Sequence, residues 1–517
     1  MTLLEIAILF AVLGATLAAG AALGIVTFAV AAVRGLSTKP ADVTPTAYRE
    51  LRLESRPAKE GEFAPDLAWP TYFSGQAGAD LRRVRTVSRG IHRGQLGRWS
   101  ETFLRGRYGD VRRWWFVLPL PALSLLALLV SLLVILILGA LFTLVVRAWT
   151  AVALVLIGVA VGVQRAAEWL WTRLRGAEAS CPKCYYVSKR PAYRCSGCSL
   201  LHRDVRPGRL GVFARRCDCG ARLPTLVVRA AWKLTAVCQR CEEPLREGSA
   251  AVRDVRVPIF GDVSAGKTRF LYAALDSLVV DGERGGPAIS FPDEESQDQA
   301  ERALALIRSG QDTMKTSESL PRAFSCRVGT GATGSLLHLF DAAGERFRTA
   351  ASHDDLGFLV TGHGLIYVID PFAVGSVRDR LSGHSGASAD LARGVAGDPE
   401  SAYGEVVSRL RSGGVRPGSQ RLAAVVSRAD LLDDYGVDLP SDSDEIAEWL
   451  YEAGLHNLVL AAKNEFAEVR YFAVASLSTT RTSPGSDPGM PLRWLLRARG
   501  LKFPAPAAHL TAGGARA

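Results

Sequence analysis

The stretch Gly261-Asp262-Val263-Ser264-Ala265-Gly266-Lys267-Thr268 constrains this chain more than any other, because it matches G-x-x-x-x-G-K-[ST] in full. Residues 252–260 before it alternate as a strand does, and Phe270, Leu271, Ala274, Leu275 and Leu278 follow at helical spacing. Strand, glycine loop and helix in that order is the context in which such a loop holds phosphate. A chance match on an ordinary strand-to-helix turn would lack it. Gly261 and Gly266 let backbone N–H groups wrap phosphate oxygens at a positive helix end, and Ser264, Ala265 and Arg269 complete the expected contacts. Lys267 is expected to reach the β- and γ-phosphates and Thr268 to ligate magnesium.

Three later segments extend the pattern. Ser335–Phe340 reads as a strand ending in Asp341-Ala-Ala-Gly344-Glu345, an acid suited to a magnesium shell and a glycine suited to the γ-phosphate. Phe324–Val328 reads as a second strand, joined to it through the turn Gly329–Gly334. Leu422–Val426 then leads to Ser427-Arg428-Ala429-Asp430, where Asp430 can accept both hydrogens of a guanine edge and Arg428 can lie on the base. An ordinary strand end with an acidic helix cap is the alternative there. Val469–Val474 ends in the small residues Ala475 and Ser476, suited to a backbone contact with the base.

GDVSAGKT, DAAGE, SRAD and ASL, in that order, resemble the first, third, fourth and fifth motifs of Ras-like (TRAFAC-class) GTPases. The resemblance implies an α/β P-loop NTPase fold with a mixed sheet over residues 250–503, binding GTP and GDP with Mg²⁺. It implies Lys267 and Glu345 as the catalytic candidates, and Thr268, Thr316 and Asp341 around magnesium. Two departures stand out. Glu345 occupies the position where many relatives carry a water-positioning Gln, and a carboxylate there repels the γ-phosphate, so hydrolysis is expected to be slow. The connection 281–320 is long, and Thr313 competes with Thr316 as the switch threonine; Thr316 is preferred because it lies closer to the next strand.

Eight of the nine cysteines fall in 181–241, as Cys181/Cys184, Cys195/Cys198, Cys217/Cys219 and Cys238/Cys241. Such pairs on tight turns can point at one Zn²⁺, and two pairs complete a tetrahedral site. The sequential partition joins 181/184 with 195/198 and 217/219 with 238/241, giving a double zinc ribbon over 178–245 with two structural Zn²⁺. A disulfide framework is the rival, disfavoured in the cytoplasm. Gly197 and Gly220 are expected to relax the turns, His202 to be a surface residue, and Cys326 a small buried one. The arginines of 202–216 are a weak pointer to nucleic acid.

Residues 3–33 are almost uninterruptedly apolar, with Arg34 following, so the N-terminus is expected outside and 34–114 is expected to be a basic cytoplasmic segment. That segment holds 16 Lys/Arg against 9 Asp/Glu. The apolar run 115–165 is too long for one span and is expected to form a helical hairpin, three helices in all; one long tilted helix plus an interfacial one is the alternative. Residues 504–517 are expected to be a disordered tail. The whole layout looks like actinobacterial membrane proteins with a double-GTPase-type domain, which implies a membrane-anchored switch with an unknown protein partner or activator. A P-loop ATPase with a degenerate base site, or a nonhydrolysing scaffold holding nucleotide as a structural ligand, are the competing readings. No Ser/His/Asp arrangement, internal repeat or second glycine loop of this pattern occurs.

Overall fold

A computed structural model describes residues 2–37, 46–47, 67–68, 71–105, 119–203, 205–262, 264–291, 294–309, 323–341, 359, 361–382, 398–475 and 486–503. They divide into two units: one draws on 2–37, 71–105, 119–165 and 207–218, the other on 166–206 and 219–503.

The first unit is helical. Helix α1 (Leu3–Leu36) starts with a capping box in which Thr2 and Glu5 bond each other's backbone N–H. Helix α2 (Ala77–Ser100) is arginine-bearing, and α3 (Pro119–Arg175) runs for 57 residues. Helices α1 and α3 lie parallel and close, because small residues recur on one stripe of α1. A Cβ at Gly20 would sit 2.6 Å from the Ala127 carbonyl oxygen, and one at Gly24 would sit 2.8 Å from that of Ser131. Helix α2 returns antiparallel along both. Gln95 Nε2 donates to Thr27 Oγ1 (2.9 Å), Arg85 Nη2 to Thr143 Oγ1 (3.1 Å) and Trp99 Nε1 to Ser124 Oγ (2.9 Å).

The hairpin expected over 115–165 is therefore corrected: from Pro119 onward this stretch is one unbroken helix. Between 122 and 164 only Arg147 is charged, and the glycines at 139, 158 and 162 stand singly without turn partners, so nothing ends the helix. At 1.5 Å per residue it is about 85 Å long, far beyond a hydrocarbon core of about 30 Å. Among the described residues two helices, α1 and α3, are long and apolar enough to cross a membrane.

The second unit begins with a small cysteine-bearing region. It contains β1 (Ala179–Ser180), β2 (Val187–Ser188), β3 (Ala192–Arg194), β4 (Leu201–His202), the short helix α4 (Val227–Lys233) and β5 (Ala236–Val237). Strand β3 is flanked by β4 and β5, both antiparallel. His202 is buried there, opposite Tyr193, and is not the expected surface residue.

A seven-stranded mixed sheet follows: β6 (Arg253–Gly261), β7 (Ile289–Ser290), β8 (Phe324–Val328), β9 (Ser335–Asp341), β10 (Leu365–Ile369), β11 (Arg421–Val426) and β12 (Glu468–Ala473). The spatial order is β7-β8-β9-β6-β10-β11-β12, parallel except at β7/β8 and β8/β9. Period-2 alternation sends Val255, Val257 and Ile259 to one face, under α5 (Lys267–Glu283), α6 (Glu294–Arg308) and α11 (Met490–Ala498). Phe260, Phe340, Tyr367 and Val426 go to the other, under α7 (Pro399–Ser412), α8 (Ala429–Asp434), α9 (Ser443–Leu450) and α10 (His456–Glu465). With both faces covered, the parallel strands read as continuous apolar runs.

Two polar residues of β6 break that rule. Asp254 and Arg256 are 2% and 5% exposed. Ser180 Oγ donates to Asp254 Oδ2 (2.5 Å), while Arg256 donates to Glu178 Oε2 (2.8 Å), Ser180 Oγ (2.8 Å) and the Thr361 carbonyl (2.7 Å). The chain just ahead of the first cysteine is thus bonded into the sheet. Tyr185, within the cysteine region, meets Phe340 edge-on with ring centres 5.6 Å apart, and the Ala323 N–H donates to the Pro182 carbonyl.

Candidate functional site

Strand β6 is flanked by β9, whose connection runs to one side, and β10, which opens the other. The crevice beyond the C-terminal ends of parallel strands at such a reversal is where open α/β sheets take ligands. The glycine loop lies there. Gly261 ends β6 because β10 passes too close for a side chain: a Cβ would stand 2.3 Å from the Val368 carbonyl oxygen. Gly261→Ala is accordingly expected to cost about 3 kcal/mol or more, through an overpacking clash that neither backbone can relieve. A wild-type midpoint in urea unfolding would contradict it. Gly266, at φ +85°, turns the chain into α5 in a left-handed conformation open to glycine.

Lys267 opens α5 and is 7% exposed. Its ammonium folds back over the loop, donating to the carbonyls of Asp262 (2.6 Å) and Gly261 (3.1 Å). Burial lowers its pKa, and the carboxylates of Asp341 and Asp262 work against that shift. Thr268 Oγ1 donates to Asp341 Oδ2 at 2.5 Å, so two residues 73 apart in the chain meet at the loop. Arg269 follows in the first turn of α5.

The 427–430 segment reaches the same loop. Ser427 is buried, with its hydroxyl on the Ala265 carbonyl (3.0 Å) and the Ile369 carbonyl (3.1 Å). Arg428 adopts φ +56° and bridges the Ser264 carbonyl (2.8 Å) and Asp370 Oδ2 (2.9 Å). Asp370 also caps the next turn by accepting from the Phe372 N–H. The Arg428–Asp370 pair was not expected from sequence, although an acid ending β10 opposite an Arg is a signal that could have suggested it. Asp430 sits in the first turn of α8, where Oδ1 accepts from the Leu431 N–H (3.1 Å). The Ala475 N–H, expected to face a base, donates to the Ser486 carbonyl instead (3.1 Å). Thr316, Gly344, Glu345 and Ser476 lie outside the described residues, as do the switch segments around them.

The cysteines form two groups of four whose sulfurs lie within 4.8 Å of one another, and each group could hold a metal ion. The sequential partition is corrected: Cys181 and Cys184 join Cys238 and Cys241, and Cys195 and Cys198 join Cys217 and Cys219. Pairing of β3 with β5 is the cause, since it carries the last knuckle back to the first. Sγ atoms approach to 3.5 Å between Cys181 and Cys241, 3.6 Å between Cys184 and Cys238, and 3.7 Å between Cys195 and Cys219. Backbone N–H groups of Cys184, Gly197 and Arg240 point at Cys181, Cys195 and Cys238 sulfurs, a pattern that favours thiolates. Within this close group Cys184 is drawn down to about 7, Cys181 first among the causes, while Cys181 and Cys238 are held above the usual thiol range.

Each knuckle ends on a left-handed residue directly after its second cysteine: Tyr185, Ser199, Gly220 and Glu242. Gly220 meets the expectation. Gly197 does not, its small size answering instead to Cys219 Sγ, which a Cβ would approach to 3.2 Å. Cys326 is fully buried in β8, its thiol pushed up to about 12 by burial.

Residues 255–483 match the family model described as Double-GTPase 2, which supports a GTPase-type domain and, with it, guanine nucleotide as ligand. No curated protein matches the chain.

Proposed function

We propose that residues 250–503 are a Ras-like P-loop GTPase domain that binds Mg²⁺·GTP, hydrolyses it slowly and acts as a nucleotide switch held at the cytoplasmic face of a membrane. The observation that carries this reading is convergence. Asp341, Ser427 and Arg428, from the ends of strands on both sides of β6, all bond to residues of the loop 261–268. A chance glycine turn has no reason to collect them.

In this reading Lys267 and the loop N–H groups bind phosphate oxygens, and Thr268 and Asp341 are the residues that would hold magnesium, which when bound neutralises phosphate charge. Arg428, tethered at both ends of its guanidinium, presents a fixed plane beside the base position. The carboxylate of Asp430 supplies the guanine-selective acceptor. Helices α1 and α3 anchor the chain, with α1 followed by Arg34 on the cytoplasmic side. The two cysteine groups suit structural Zn²⁺, since four thiolates make a closed site with no open position for chemistry.

Nucleotide binding by the full chain in detergent tests the base-reading role. Wild type is expected to prefer GTP over ATP, and Asp430→Asn to shift that preference to XTP. Loss of a two-hydrogen-bond charged contact, about 3 kcal/mol, corresponds to roughly a hundredfold in affinity. Equal binding of ATP and GTP, untouched by the substitution, would sink the GTPase assignment and leave a P-loop NTPase of another kind.

A further inference from the structure

The helical unit holds a cleft of about 250 Å³ between α1, α2 and α3. One wall is apolar, with Phe28, Ile135, Leu136 and Phe142; the other carries Arg85, Ser88 and Arg89 from α2. Ser88 is 4% exposed, and among the described residues its hydroxyl has no hydrogen-bond partner. A buried hydroxyl left in that state costs about 1–3 kcal/mol unless something in the cleft meets it. Arg85 is braced by its bond to Thr143, another residue of the cleft lining. Cationic donors above a greasy wall, with a buried hydroxyl between them, describe a receptor for an anion attached to a hydrocarbon.

The depth of the cleft agrees. Phe28 lies about 15 Å along the helix axis from the middle of the apolar run 3–33, which is half of a hydrocarbon core of about 30 Å. Because α1 and α3 are parallel, Arg34 and Arg147 fall on the same side, just beyond the cleft on each helix. We propose that this cleft binds the phosphate headgroup of an anionic phospholipid in the leaflet on the Arg34 side. Arg85, Arg89 and the Ser88 hydroxyl take the phosphodiester, and Phe28, Leu136 and Phe142 take the first methylenes of the acyl chains. The inference rests on the membrane reading of α1 and α3, but not on the GTPase reading.

The test uses the full chain in a neutral detergent, mixed with phosphatidylglycerol or phosphatidylcholine and read by native mass spectrometry. Bound phosphatidylglycerol is expected to exceed phosphatidylcholine. At about a factor of five per arginine near a lipid surface, Arg85→Ala with Arg89→Ala should weaken it on the order of thirtyfold. The double Lys variant, which keeps the charge should the Ala pair fail to fold, should retain most of the preference, and Ser88→Ala should lose a smaller part. Equal binding of the two lipids, or a preference unchanged by the Ala pair, overturns the proposal. Displacement of the lipid by inorganic phosphate alone would show a free-anion site and overturn it too. Carbonate extraction of cell membranes separates the premises: release of the chain removes the membrane reading and the proposal with it. Retention without lipid preference overturns the proposal alone.

Discussion

Lys267→Ala is expected to weaken GTP binding by about 2–5 kcal/mol, roughly thirtyfold to several thousandfold, while leaving the nucleotide-free protein as stable as before. The two halves of that expectation have one cause. Lys267 is 7% exposed, and among the described residues its ammonium is bonded to the carbonyls of its own loop. Burial already lowers its pKa, so holding the charge there is a strain that Ala relieves. With triphosphate present, the same charge meets oxygens that have no other side-chain cation in the loop. Titration with a fluorescent GTP analogue reads the first half and thermal unfolding of the apo protein reads the second. A fall of several degrees in apo melting temperature with nucleotide binding intact would favour the scaffold reading over the switch.

The second large effect concerns the outer cysteine group. Cys238→Ala is expected to release one of two zinc ions per chain and to destabilise the second unit by several kcal/mol. Structural zinc contributes about 10–16 kcal/mol to the folding of isolated zinc-finger peptides. The smaller figure here reflects a region with its own apolar core, in which Cys181 and Cys238 pack with Tyr193, Val205, Val227 and Ala230. Cys326→Ala serves as the control, since that thiol lies in a sheet strand away from both groups. Metal content by elemental analysis and a melting curve decide it. An unchanged zinc stoichiometry in Cys238→Ala would falsify the assignment of that residue as a ligand.

The glycine loop, its flanking strand and helix, and the hairpin across Gly329–Gly334 were legible because their signals are local: glycine positions and a change of period from 2 to 3.6. The meeting of Thr268 with Asp341 was legible in order, though not in distance. What escaped was non-local. The cysteine groups are nested because β3 pairs with β5, and no spacing rule between knuckles encodes which strands will pair. The alternation over 252–260 marked a strand and left open where Asp254 and Arg256 would lie. They are buried because Glu178, Ser180 and Thr361 come from elsewhere to satisfy them. The single helix over Pro119–Arg175 stood only as the alternative to a hairpin, because the length argument let the membrane set where a helix ends although no turn-forming sequence ends it there. A fragment cut at 246 would discard Glu178 and Ser180 from under β6, so the cysteine region belongs with the sheet in any expressed piece.

Phe340 immediately precedes Asp341, and its ring rests against Tyr185, the left-handed residue that closes the first cysteine knuckle. The Ala323 N–H, where β8 begins, is held by the Pro182 carbonyl inside the same knuckle. The knuckle therefore acts as an abutment that backs the strand delivering Asp341 to the crevice. The acid is thus backed from the cysteine region, a part of the chain that does not itself line the crevice.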